Sequence, residues 1–199
     1  MQFTQKSAST RRLIRATTTV VALAAAATGT AFAATASPAA AAGRGWSTVE
    51  SCTSAAGSVS YQPGLTSTVR PESSVLSATL AGCASTYSGA VPGTGLLTAF
   101  LSGSSSTAAV SQRGNFTLNW PAASGLNPSN GSFSLTGPDA TGRYTASGSI
   151  TSGAYTGAWL GTTFVATGVN AGADGSVAHP VTMQQVTNTA ALLVRRNTW

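Results

Sequence analysis

Charge is what this sequence has least of. Lys and Arg together number ten and Asp and Glu four in 199 residues, or 7% charged, where an ordinary soluble domain carries about 25%. There is one lysine, one histidine, two cysteines and two methionines. Each scarcity excludes a chemistry. A metal centre needs three or four ligands, and His179 with four scattered carboxylates does not supply them. A glycosidase needs two carboxyls held about 5–10 Å apart, and Glu50, Glu72, Asp139 and Asp174 show no local grouping. A Ser-His-Asp triad would have to draw on His179 and on Asp174 or Asp139. No Gly-x-Ser-x-Gly elbow is present to hold its nucleophile. A Cys-His pair fails for want of a free thiolate beside His179. The reading is therefore non-enzymatic, with no catalytic residue, cofactor or metal assigned.

The positive charge that remains is concentrated at the start of the chain. Of the formal +6, Lys6, Arg11, Arg12 and Arg15 supply four. They precede the weakly apolar run Ala16–Ala27 and the small residues of Ala31-Phe32-Ala33, the three parts of a cleavable export signal. Residues 1–33 are expected to be that signal. Cleavage after Ala36 or Ala42 fits the same rule. Arg11-Arg12 invites a twin-arginine reading, but Leu13-Ile14-Arg15 does not complete the pattern, so the general secretory route is preferred. Fewer than 20 apolar residues cannot anchor the chain, and no membrane association is expected after cleavage. The remainder of the chain holds six arginines against four carboxylates. Four of the six stand singly and only Arg195-Arg196 is a pair, so no clustered phosphate contacts are available and nucleic acid is not a partner.

Cys52 and Cys83 are the only cysteines. In an oxidising compartment an even count of two permits one intramolecular bridge, an intermolecular bridge or two free thiols being the alternatives. Residues 34–45 read as a flexible Ala/Pro/Gly arm, and 46–199 as one domain. No stretch there carries a capped helical pattern. Instead, short β-prone runs are divided by Gly, Pro, Asn and Ser. Candidate strands are 58–61, 75–81, 96–101, 115–120, 132–135, 143–150, 155–160, 162–167, 181–186 and 191–195. In Asn115–Trp120, Phe116, Leu118 and Trp120 share one face and the polar residues the other, as in a half-buried antiparallel strand. Turns are expected at Pro63-Gly64, Pro92-Gly93, Asn130-Gly131, Gly137-Pro138 and Asp174-Gly175. The expected fold is an all-β antiparallel sandwich, with a small closed barrel as the alternative.

Several pieces carry a resemblance: Cys52, then Gly57-Ser58-Val59-Ser60-Tyr61-Gln62-Pro63-Gly64-Leu65, Leu80-Ala81-Gly82-Cys83, Leu118-Asn119-Trp120 and Gly148–Gly157. Together they resemble small secreted β-sandwich proteins of streptomycetes and related actinobacteria, over roughly Cys52 to Leu160. The resemblance implies an extracellular sandwich with its two cysteines bridged, and no activity. Some relatives carry a second cysteine pair that this sequence lacks.

Binding is the expected functional class. Trp46, Trp120, Trp159, Trp199, Tyr87 and Tyr155 could stack on sugar rings. The even spacing from Tyr155 to Trp159 would put those two rings on one strand face, making them the expected ligand platform, with a core role for the rings as the competing reading. The partner would be a glycan or cell-wall polymer, met by a secreted monomer. A self-associating surface coat is the second expectation, because few Lys or Glu are present to guard strand edges.

Overall fold

The computed structural model describes residues 45–86 and 91–197. The expected signal peptide, residues 34–44 of the arm, Tyr87 and Trp199 lie outside them. Nine strands follow one another: β1 (Trp46–Leu65), β2 (Arg70–Ser85), β3 (Gly93–Ser105), β4 (Val110–Asn119), β5 (Ser129–Gly137), β6 (Arg143–Ser152), β7 (Trp159–Val169), β8 (Val181–Asn188) and β9 (Leu192–Asn197). A short 3-10 turn, Ala122–Ser124, is the only helical element among the described residues. Each strand from β1 to β8 pairs antiparallel with the next, and β8 returns to β1. The sheet therefore closes into an eight-stranded barrel.

The last wall of the barrel is made in two pieces. Along β1, partners run from Leu65↔Val181 to Ala56↔Thr187 on β8, then from Cys52↔Leu192 to Trp46↔Asn197 on β9. On the other side, β7 meets β8 through Phe164↔Asn188 and β9 through Trp159↔Arg195. The break between the pieces is bridged by Asn188. Its Oδ1 accepts from Ala55 N at 2.9 Å, and its Nδ2 donates to Thr53 O at 3.2 Å and Ala190 O at 2.9 Å. One amide thus replaces the rungs that β1 would otherwise leave open to water.

Alternation fills the inside. Leu80, Leu97, Leu118, Leu135, Leu160, Leu192 and Val194 point inward and are buried, while Ser132, Thr136, Thr145 and Ser149 face out. Eight strands enclose a space that side chains can fill, and here they do. The cavity lined by Leu76, Leu97, Phe164 and Val186 is about 20 Å³, close to the minimum for a single water. Phe116 and Phe133 pack with ring centroids 5.8 Å apart, beside Gly131 and Gly148. Polar groups gather at the barrel's two ends. At the first, Tyr61 Oη donates to Gln184 Oε1 at 2.9 Å and Arg70 pairs with Glu72 at 2.7 Å.

The all-β antiparallel expectation holds, but the architecture is the barrel, not the sandwich. Alternation is common to both; only the pairing of β1 on both sides distinguishes them. That strand runs for 20 residues, far beyond the expected 58–61. Two expected turns, Pro63-Gly64 and Asn130-Gly131, lie inside β1 and β5, whereas Gly137-Pro138 ends β5. The expected strand 155–160 is divided. Residues 153–157 turn, and β7 begins at Trp159.

Candidate functional site

The two platform residues are separated by that turn. Gly153 and Gly157 take φ of 83° and 82°, a left-handed conformation that costs glycine little. The chain reverses between them, so counting by two from Tyr155 does not follow a strand. Tyr155 itself has φ 62° and is only 2% exposed. Its ring meets Trp120 edge-on, with centroids 5.6 Å apart. Its hydroxyl donates to Glu50 Oε2 at 2.8 Å and lies 3.2 Å from Ser85 Oγ. Tyr155 is core, and Trp159 stands outside. Trp120 is also buried, its Nε1 donating to Ser129 Oγ at 3.1 Å.

Cys52 and Cys83 are directly opposed on β1 and β2, buried and joined. Glu50 shares their neighbourhood: one carboxylate oxygen and the two sulfurs lie within 4.8 Å of one another. With both sulfurs in the bridge, the group offers a metal one carboxylate and no thiolate. Glu50 is fully buried and its Oε1 has no hydrogen-bond partner. Desolvation raises its pKa above the ordinary 4.5, outweighing the lowering effect of hydrogen bonds from Tyr155 and Ser85. Sequence reasoning passed over this residue, although the signal was there: β-alternation from Cys52 turns Glu50 to the same inward side.

A pH dependence follows. The folded chain holds Glu50's proton to higher pH than the unfolded chain does. The stability this confers is complete below pH 4.5 and is lost as pH rises through the raised pKa. Asp139 and Asp174 are held below their ordinary 3.8, chiefly by side-chain hydrogen bonds from Thr141 and Ser176. Their contribution, of opposite sign, is lost only as pH falls below that value, which leaves a separate window. The denaturation midpoint should therefore fall between about pH 4.5 and neutrality. Glu50→Gln should flatten this fall and be the more stable protein at pH 7. An unchanged slope in the variant would place its origin elsewhere.

His179 and Asp174 come together in the β7–β8 loop, with Nδ1 and Oδ2 3.8 Å apart and both exposed. Ser176 N donates to Asp174 Oδ1 at 2.8 Å, and Ser176 Oγ accepts from His179 N at 3.1 Å. The hydroxyl thus meets the backbone of His179, not the imidazole that would have to activate it.

The outer face of β7, β9 and β1 carries a different constellation. Trp159 at the start of β7 is 41% exposed and Trp46 at the start of β1 is 55% exposed. Arg195 on β9 lies between these strands, paired with Trp159 on one side and Thr48 on the other. Two strand spacings put the tryptophan-bearing strands roughly 10 Å apart. The three residues line a cleft of about 270 Å³. The indole of Trp159 folds along its own strand: a Cβ on Gly161 would come within 2.5 Å of ring atoms Cη2 and Cζ3. Glycine at 161 therefore lets the ring lie against the sheet.

The largest depression described, about 710 Å³, is open and lies on the wall of β1 to β4 around Val75, Phe100 and Arg113. It holds one aromatic ring on its outer surface, where the Trp46–Trp159 cleft holds two. Comparison of the chain with protein families, with curated proteins and with solved structures finds no match.

Proposed function

We propose that the protein is a secreted, non-enzymatic binding module that holds an extracellular or cell-wall glycan on the outside of its barrel, at Trp46, Trp159 and Arg195. The observation that carries this reading is the cleft itself. Two partly exposed indoles flank a guanidinium, and one indole is laid against the sheet by the absence of a side chain at Gly161. Flat apolar faces rimmed by hydrogen-bond donors match the alternating C–H and hydroxyl surfaces of a pyranose. The filled interior turns attention from the lumen to the outer wall. The disulfide is compatible with an oxidising compartment, and the expected leader would deliver the chain there. No helix among the described residues is long and apolar enough to cross a membrane.

Pull-down of the protein on chitin, cellulose and peptidoglycan tests the reading. Trp159→Ala should weaken retention at least about tenfold, because truncating a central aromatic anchor typically costs about 2 kcal/mol or more. Circular dichroism should be unchanged, since the ring lies outside the core. Full retention by the variant would defeat the proposal.

A second reading, the self-associating coat, draws on Phe100, 66% exposed, beside Val75 on the outer wall. Barrel closure weighs against it, since β9 and β1 to β8 are each paired on both sides and offer no open edge for another chain. Concentration-dependent oligomers in ultracentrifugation, without glycan binding, would favour it.

A further inference from the structure

The charges of the barrel are sorted between its two ends. Glu72 lies at the start of β2, Asp139 in the β5–β6 turn and Asp174 in the β7–β8 loop. The antiparallel registers bring all three to one end of the barrel. Arg70, paired with Glu72, and Arg143 at the start of β6 belong to that end too. The opposite end, where β1 and β7 begin and β9 finishes, carries Arg195 and Arg196. The fourth and last acid of the sequence, Glu50, is also there, opposite Ser85 and Val194. It is turned inward and fully buried, with its Oε2 on the Tyr155 hydroxyl.

Arg196 donates to Thr156 O at 2.7 Å. The guanidinium of Arg195, by contrast, makes no hydrogen bond or ion pair with the described residues. Its side chain lines the cleft with Trp46 and Trp159. A guanidinium keeps its charge at any physiological pH and offers donors in a planar fork suited to carboxylate or phosphate oxygens.

Resting on the glycan-platform reading, we propose that the polymer bound is anionic. Carboxylate or phosphate oxygens on the saccharide chain would dock on Arg195 while neighbouring rings lie on Trp159 and Trp46. A neutral glycan would leave that cation unanswered. An anionic one also meets no exposed carboxylate of the described residues at this end, whereas three acids stand at the other.

Affinity electrophoresis of the full protein tests this, through gels containing a neutral β-glucan, a polygalacturonate or a phosphomannan. The two anionic polymers separate the carboxylate from the phosphate source. At least one should retard the protein about tenfold more strongly than the glucan, as a charge-assisted contact implies. That preference should shrink as salt is raised. Arg195→Gln should abolish the preference, bringing retardation by the anionic polymer down to that by the glucan; Arg195→Lys should keep part of it. Equal retardation by all three polymers, or a preference that survives Arg195→Gln, overturns the proposal while the platform stands. Retardation by none, or retardation indifferent to Trp159→Ala, overturns the platform and the proposal together.

Discussion

Removing the bridge between Cys52 and Cys83 should cost the protein about 3.5 kcal/mol of stability, the chain-entropy value for a loop of this length. The cysteines are 31 residues apart, so the bond denies the unfolded chain a substantial set of conformations. A typical domain is held by only ~5–15 kcal/mol, so the loss is a large share of the whole. The bridge also fixes the half of β1 that pairs with β9 and carries Trp46, so the cleft should loosen before the rest of the barrel. The clean variant is Cys52→Ala with Cys83→Ala, which leaves no hydroxyl or thiol inside. Its urea midpoint should fall by roughly 2 M for a slope near 2 kcal/mol per molar. Because both sulfurs are buried, the wild type should gain two alkyl groups only when reductant and denaturant are present together. An unchanged midpoint in the double variant would show that strand pairing alone holds β1 in place.

The strands with large alternating residues were legible in the sequence, and the strand that decides the architecture was not. Phe116, Leu118 and Trp120 announce β4 because each is big, apolar and two residues from the next. In β1 the inward positions include Cys52, Ala55 and Gly57, which are small and give no periodic signal. Whether a series of hairpins closes depends on whether the first finds the last, and here that closure joins residues more than a hundred apart. The cleft was half legible for the same reason. Trp46 and Trp159 were visible as candidates, and Arg195 as one of a pair. What unites them is β9 lying between β1 and β7, a long-range pairing with no local trace. Tyr155 misled because the count by two was carried through Gly153 and Gly157, where the backbone turns. The burial of Tyr155 is nonetheless what gives Glu50 a hydrogen-bond partner inside the barrel.

Two glycine-to-alanine changes in strands of this barrel should have opposite signs. Gly131 faces inward on β5, between Phe116 on β4 and Ile150 on β6. A Cβ there would lie 1.8 Å from Ser149 O and 3.0 Å from Phe116 Cε1. The oxygen belongs to the backbone of β6, so it cannot swing aside as a flexible side-chain tip could. To make room, β5 and β6 would have to part, in a wall whose hydrogen bonds close the barrel. Alanine would gain ~0.5–1 kcal/mol over glycine from backbone entropy, but overpacking typically costs about 1–3 kcal/mol and occasionally more. The close approach to backbone puts this site at the upper end, so Gly131→Ala should lose about 2 kcal/mol net or fail to accumulate. Gly168 near the end of β7 is the counterpart: a Cβ added there would meet nothing within 4 Å, and its φ is not positive. There the entropy gain stands unopposed, and Gly168→Ala should raise the midpoint slightly. Urea titration of the two variants beside the wild type measures the difference. If both shift the same way, close approach of β5 and β6 is not what requires glycine at 131.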